Sequence, residues 1–331
     1  MTTVVERFRH ATIGCVGDVM LDHFVYGNVH RISPEAPVPV LHVERQHSML
    51  GGAGNAVRNL TALGCGVRFF SVAGDDAEAG EIERMLGDLP RCAWRLVREA
   101  GRPTTIKTRY VAEGQQIMRA DVESNHAAPE RVMDGLTERF IAEVGACDAV
   151  LLSDYAKGLL SGDHAQRFIR VAREAGKPVV VDPKGRDFRR YDGATVIKPN
   201  LKELGEATGM AVASAVEQEA AARRLLSEID VEHLLVTCGA AGMLLATRGR
   251  KVLRLAAWTR EVFDVSGAGD TVAAVLAAGV GSGADIREAV EAANVAAGIV
   301  VGKQGTAVAT PGEIAHEIQI RRESAPVKID G

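Results

Sequence analysis

Short apolar runs ending in glycine, a carboxylate or asparagine recur along the chain. They are ATIGCVG at 11–17, VRFFSVAG at 67–74, DAVLLSD at 148–154, PVVVDP at 178–183, TVIKPN at 195–200 and HLLVTCG at 233–239. Each reads as a strand buried on both faces. Between them, helical stretches fall at 55–64, 78–89, 129–145 and 162–176. Strands alternating with helices predict an α/β fold, a mainly parallel sheet sandwiched between two helical layers. The last third turns helical, over 267–281, 285–302 and 311–323. Residues 1–331 are expected to form one domain.

Two stretches break the alternation. Residues 22–48 are rich in Pro, His and Val, and the prolines of PVPVLHV exclude a helix interior. Residues 103–121 read as a hairpin turning at Glu113-Gly114. Together they predict a small β-sheet standing off the main domain as a lid. It would cover the carboxyl ends of the strands, where open α/β sheets bind ligands. Those ends carry Asp18, Asp154, Lys157, Asp182, Lys184, Asn200, Glu203 and Thr237.

Composition narrows the function. With 331 residues, 47% hydrophobic and 25% charged, the chain can bury a full core. Lys and Arg number 39 against 43 Asp and Glu, a net charge of −4, and aromatics are 4%. That balance speaks against nucleic acid as a partner. An anionic substrate must then be held by local cations or backbone amides. Cysteines 15, 65, 92, 147 and 238 lack metal or CxxC spacing and are expected to be reduced thiols. No signal-peptide pattern and no run of about 18 apolar residues occurs, so a cytoplasmic protein without a membrane partner is expected. The 35 glycines cluster at 51–54, 239–242, 267–269, 279–283 and 302–305, as in loops that approach a ligand closely.

The strongest chemical signal is DVSGAGDT at 264–271. Gly267, Ala268 and Gly269 open a long apolar helix, whose first N–H groups form an anion hole. A carboxylate beside that hole, Asp270, is suited to accept a proton from a nucleophile attacking the anion's centre. A helix-capping acid is the alternative. In NLKE at 200–203, Asn200 and Glu203 share a helical face, and their oxygens suit Mg²⁺ through water. A capping box would read the same way. GGAGN at 51–55 could lay a sugar against backbone at Gly51 and Gly52, with Asn55 donating to a hydroxyl, or be a tight turn. VTCGAAGM at 236–243 reads as strand, turn and strand, holding nucleotide phosphate through Thr237, Gly239 and Gly242 or serving as a plain hairpin. Five cations stand near the presumed mouth: Lys107, Arg109, Arg119, Lys157 and Lys184. They could collect a substrate phosphate. P-loop, protein-kinase, GxSxG and HExxH motifs are absent.

Together these residues resemble the PfkB/ribokinase family of carbohydrate kinases. GGAGN matches its first signature, DVSGAGD its second, and Asn200–Glu203 its NxxE magnesium motif. The resemblance implies a ribokinase-like three-layer α/β/α domain whose small β lid often mediates a homodimer. It implies Asp270 as catalytic base and Gly267–Gly269 as anion hole. ATP would lie near Asn200, Lys202, Glu203, Thr237, Gly239, Gly242 and Asn294, with Mg²⁺ at Asn200 and Glu203. Met20 stands where ribokinases carry Asn, which leaves Asp18 and Asp22 as hydroxyl acceptors. Residues 17–40, SDYAKG at 153–158 and VDPKG at 181–185 further resemble the D-glycero-β-D-manno-heptose 7-phosphate kinases. That likeness implies phosphorylation at O1, on the route to ADP-heptose and lipopolysaccharide core. It also implies Asp154 and the five cations on the substrate side. No nucleotidyltransferase HxGH motif occurs, so the stand-alone kinase form is expected, with separate adenylyltransferase and phosphatase partners. Another sugar phosphate, such as fructose 1- or 6-phosphate, is the alternative substrate, and a non-catalytic regulator the alternative role.

Overall fold

The computed structural model describes residues 4–258 and 262–324. After a short helix α1 (Val4–Arg7), β1 (Thr12–Gly17) enters the middle of the main sheet. β2 (Val19–Ile32) and β3 (Pro39–Gly52) leave it as a long hairpin and lead into α2 (Ala53–Ala62). β4 (Gly66–Gly74), α3 (Ala77–Gly87) and β5 (Cys92–Glu99) complete one edge. A second hairpin, β6 (Ile106–Ala112) with β7 (Gln115–Val122), joins the first. Then come α4 (Glu130–Val144), β8 (Ala149–Ser153), α5 (His164–Glu174), β9 (Val179–Asp182), β10 (Val196–Ile197), α6 (Leu201–Thr208) and α7 (Ala215–Glu228). β11 (His233–Thr237), β12 (Met243–Thr247) and β13 (Leu253–Leu255) form the other edge. α8 (Ala268–Gly281), α9 (Ile286–Val301) and α10 (Pro311–Ser324) follow.

The main sheet has the order β13-β12-β11-β10-β9-β8-β1-β4-β5. It is parallel from β5 to β11, and only β12 and β13 pair antiparallel. Its central strands bury both faces, which is why they carry continuous Val, Ile and Leu. On one face pack α2, α3, α8 and α9, through Leu60, Ile82, Leu276 and Val290. On the other pack α4, α5 and α7, where Phe70, Phe140 and Phe168 meet edge-on with centroids 5.3 and 5.2 Å apart. The strand expected over 195–200 narrows to Val196–Ile197. Pro199 has no N–H to extend the ladder, and Asn200 turns to cap α6. All five cysteines are free thiols, four of them buried.

The lid is a four-stranded sheet ordered β3-β2-β6-β7. β2/β3 and β6/β7 are antiparallel, whereas β2/β6 run parallel. The first hairpin is longer than the 22–48 stretch suggested, because β2 starts at Val19 and β3 ends at Gly52. The second turns where expected, with left-handed φ of 51° at Glu113 and 80° at Gly114. None of the described helices is long and apolar enough to cross a membrane.

Candidate active site

The centre of the site is the start of α8. Gly267 has φ of 76°, and a Cβ there would lie 2.8 Å from Asn55 Nδ2. A larger residue would be strained in backbone and crowded in space. In the first turn, the N–H groups of Gly269 and Asp270 have no backbone acceptor among the described residues. They are free to meet an anion. Asp270 is buried. Its Oδ2 accepts from Asn55 Nδ2 at 2.7 Å, and its Oδ1 accepts from the Tyr155 hydroxyl. Burial pushes the Asp270 carboxyl above its ordinary range, while Tyr155, Asn55 and Lys198 pull it back and Asp22 adds to the rise. A carboxylate so placed has a strengthened appetite for a proton, the chemistry a general base needs.

On one side of Asp270 lies a cavity of about 740 Å³. It runs from the carboxyl ends of β8–β11 to α8 and α9, and Gly267, Ala268, Gly269 and Asp270 line it. Of the residues expected at a nucleotide, Asn200, Glu203, Thr237, Gly239, Gly242 and Asn294 line it as well. Lys202 does not; its side chain is 83% exposed and faces Glu206. Gly242 has φ of 90°, and a Cβ there would come within 2.0 Å of Leu255 O. Asn294 Nδ2 donates to Ala256 O at 2.8 Å, fastening the chain that borders the cavity.

Asn200 and Glu203 form a full capping box, with Glu203 N donating to Asn200 Oδ1 at 2.9 Å and Asn200 N to Glu203 Oε2 at 3.0 Å. Glu203 Oε1 also pairs with Lys184 Nζ at 2.9 Å. Capping engages one lone pair of each of these oxygens and leaves the residues able to face a metal, directly or through water. Among the described residues no three His, Cys, Asp or Glu converge as a metal cage. That donor set fits Mg²⁺, which keeps much of its water and takes phosphate oxygens.

The lid side is closed by ion pairs. Asp22 is buried and pairs with Arg109 at 2.7 Å. A Cβ on Gly51 would fall 2.4 Å from Asp22 Oδ2, so this glycine makes room for the carboxylate. Gly52 has φ of 56° and hands β3 over to α2. Lys107 pairs with Asp121 and Glu123 at 2.8 and 3.1 Å, Arg119 with Asp121 at 2.9 Å, and Lys157 with Glu123 at 2.8 Å. Those three cations cluster on the two acids of the second hairpin and do not line the large cavity. Asp18 is not open to a sugar. Its carboxylate accepts the N–H groups of Tyr155, Lys157 and Leu159 at 3.0, 3.1 and 3.2 Å. Burial pushes it up to about 6, with the charge on Asp154 adding to the rise. Asp154 lines the cavity but is held by Arg190, by Tyr191 Oη at 2.6 Å and by Ala156 N at 2.7 Å.

Three side chains at the site were not singled out for roles. Tyr155 reaches the base from SDYAKG. Lys198 is buried beside Asp182, Nζ to Oδ1 2.9 Å, and lies within 3.7 Å of where a Gly269 Cβ would stand. Asp182, pushed up to about 7 by burial against the opposing pull of Lys198, lines the cavity too. Each lies at or just past the carboxyl end of a strand, and that position is the available signal.

The chain superposes on ribokinase from Arabidopsis thaliana solved with ribose and ATP, at TM-score 0.72 and 20% identity over 93% of this chain and 99% of that one. It superposes on phosphofructokinase-2 from Escherichia coli with potassium at TM-score 0.76 and 19% identity, covering 94% and 99%. The fold is ribokinase-like. Residues 11–312 match the pfkB family carbohydrate kinase. The chain belongs to that family and is an ATP-dependent sugar kinase. The Bifunctional protein HldE of Paramagnetospirillum magneticum is 52% identical over 94% of this chain, and that of Caulobacter sp. strain K31 is 50% identical over 93%. The chain spans 64% and 63% of those relatives' own lengths, so it matches roughly two-thirds of each.

Proposed function

We propose that this kinase phosphorylates D-glycero-β-D-manno-heptose 7-phosphate at O1, giving the 1,7-bisphosphate for ADP-heptose and lipopolysaccharide core synthesis. The observation that carries the chemistry is the buried Asp270 carboxylate beside free N–H groups at the head of α8. The substrate assignment is supported by the stretches 17–40, 153–158 and 181–185 and by the likeness to HldE proteins.

Asp270 takes the proton of the O1 hydroxyl as that oxygen attacks the terminal phosphorus of ATP. The hydroxyl is anomeric and more acidic than an ordinary alcohol, so a carboxylate suffices as base. The N–H groups of Gly269 and Asp270, with the Lys198 ammonium, stabilise charge on the phosphoryl group in transit. Thr237, Gly239, Gly242 and Asn294 border the space for the nucleotide. Asn200 and Glu203 would orient Mg²⁺ through water, and the ion would neutralise phosphate charge. The lid excludes water that would otherwise accept the phosphoryl group. The sugar's own phosphate is taken by lid-side cations among Lys107, Arg109, Arg119 and Lys157, which then exchange their carboxylate partners for it; Lys184, expected with them, instead lines the large cavity against Glu203. Lid strands carrying exposed Ile117, Met118 and Val122 would pair with a second copy in a homodimer. The setting proposed is cytoplasmic.

The test is ADP release with Mg-ATP and the heptose 7-phosphate, beside fructose 6-phosphate, fructose 1-phosphate and ribose. Turnover on the heptose alone is expected. Preference for another sugar would overturn the substrate and leave the mechanism standing.

A further inference from the structure

The turn 154–159 after β8 is built more tightly than a connection needs. Ala156 adopts left-handed φ of 55°, and Gly158 has φ of 103° with His126 O only 1.9 Å from where a Cβ would be. The Asp18 carboxylate gathers three of its N–H groups, and Asp154 Oδ1 takes a fourth from Ala156. From these anchors Lys157 reaches out to Glu123, and Tyr155 projects inward. Its hydroxyl donates to Asp270 Oδ1 from the side opposite Asn55.

We propose that Tyr155 is a positioning residue for the catalytic base: its hydroxyl fixes the Asp270 carboxylate and keeps it ionised for proton transfer. This rests on the reading of Asp270 as base. The groups facing Asp270 are Tyr155 and Asn55, Lys198 after β10, Asp22 of β2, Asp182 of β9 and Cys15 of β1. Asp22 and Asp182 disfavour its charge, and Cys15 is a neutral buried thiol. Lys198 shares its charge with Asp182, so the two donors are the direct contacts that, beside the pull of Lys198, offset the burial of the carboxylate. Tyr155 stays a donor throughout, because burial and the neighbouring carboxylates raise its phenol well above the usual range. In the reaction the sugar O–H bond breaks and its proton passes to Asp270. The oxygen bonds to the terminal phosphorus, and the bond to the bridging oxygen breaks to release ADP. Tyr155 neither gains nor loses a proton. Asp18 acts at one remove, by setting the turn.

The experiment reads the titration of Asp270 directly, by carboxyl-carbon NMR of the substrate-free protein, with the resonance assigned by its loss in Asp270→Asn. In Tyr155→Phe the midpoint is expected to rise by about one unit or more, the loss of a hydrogen bond to a charged group. The acid limb of kcat against pH should move with it, while KM for ATP stays fixed. An unmoved midpoint overturns the proposal, whatever happens to stability. Should the phenylalanine variant not fold, a fluorotyrosine at 155 keeps the ring and strengthens the donor; the midpoint must then fall, and a rise or no change overturns the proposal equally. Full turnover by Asp270→Asn would instead remove the base itself, a separate failure.

Discussion

The two sides of Asp270 are built on different principles. The large cavity is bordered in good part by backbone, with glycines at 239, 242, 267 and 269 and the open end of a helix, beside the Lys184–Glu203 and Lys198–Asp182 pairs. On the lid side nearly every polar side chain already holds a partner, as in Asp22–Arg109, Lys107–Asp121 and Lys157–Glu123. Backbone recognition is preformed and needs no rearrangement. On the proposed reading, a sugar phosphate would have to displace carboxylates from these cations, and the acids would act as internal competitors for it. Under the function proposed above, the difference divides specificity: a nucleotide would be accepted by shape, and a sugar phosphate by exchange of charge partners.

The largest effect is expected at the boundary. Asp270→Asn should lower kcat by about 10²–10⁴-fold with ATP binding retained, the range for losing a general base. Rate and nucleotide affinity falling together would mean that the two sides are not separable. Next, Gly242→Ala should raise KM for ATP by roughly tenfold or more, since a Cβ cannot fit beside Leu255 O without moving backbone that borders the cavity. KM for the sugar should stay put. On the other side Glu123→Gln frees Lys107 and Lys157 from a carboxylate. It should lower KM for the sugar phosphate by about two- to fivefold, an exposed-pair effect that fades with added salt. A raised KM would show that Glu123 orients the lysines instead of competing.

The smallest effect is on stability against pH. Folded Asp182 sits at about 7, above its unfolded value near 4. The folded chain there binds a proton that the unfolded chain has released. Its contribution to stability is full below about pH 4 and is lost as pH climbs through 7. Melting of wild type and Asp182→Asn at pH 5 and pH 8 checks this. The gap between the two pH values should shrink in the variant, and an unchanged gap would mean that Lys198 holds the carboxylate ionised throughout.

Much of the nucleotide side was legible in the sequence because glycine leaves a mark: GAGD, GAAG and their flanking strands point to close backbone approaches. The parallel sheet was legible in its continuous apolar runs. The lid side was less so. The pairing of Lys107 with Asp121 and Glu123 arises across a hairpin, 14 and 16 positions apart, and no local pattern encodes it. Asp18 reads as an exposed strand-end acid, but its oxygens serve the N–H groups of a turn more than 130 residues away. Tyr155 reads as one more aromatic after a strand, and only the tertiary packing of β8 against α8 puts it on the base. Lys202 shows the opposite error: it lies inside NLKE, but the helix turns it outward.

One connection in the chain has a wider consequence. β2 starts at Val19, directly after Asp18, and β3 ends at Gly52, three residues before Asn55. The first hairpin is thus spliced without slack into two neighbours of Asp270, the Asp18-held turn that carries Tyr155 and the Asn55 amide. β6 and β7 have no such splice. The cover is thus divided by connectivity into a half joined through the chain to the neighbours of Asp270 and a half joined to the first by strand pairing. A change in β2 or β3 would therefore strain the neighbours of Asp270 along the chain itself, whereas a change in β6 or β7 could reach them only across the sheet, as through the Arg109–Asp22 pair.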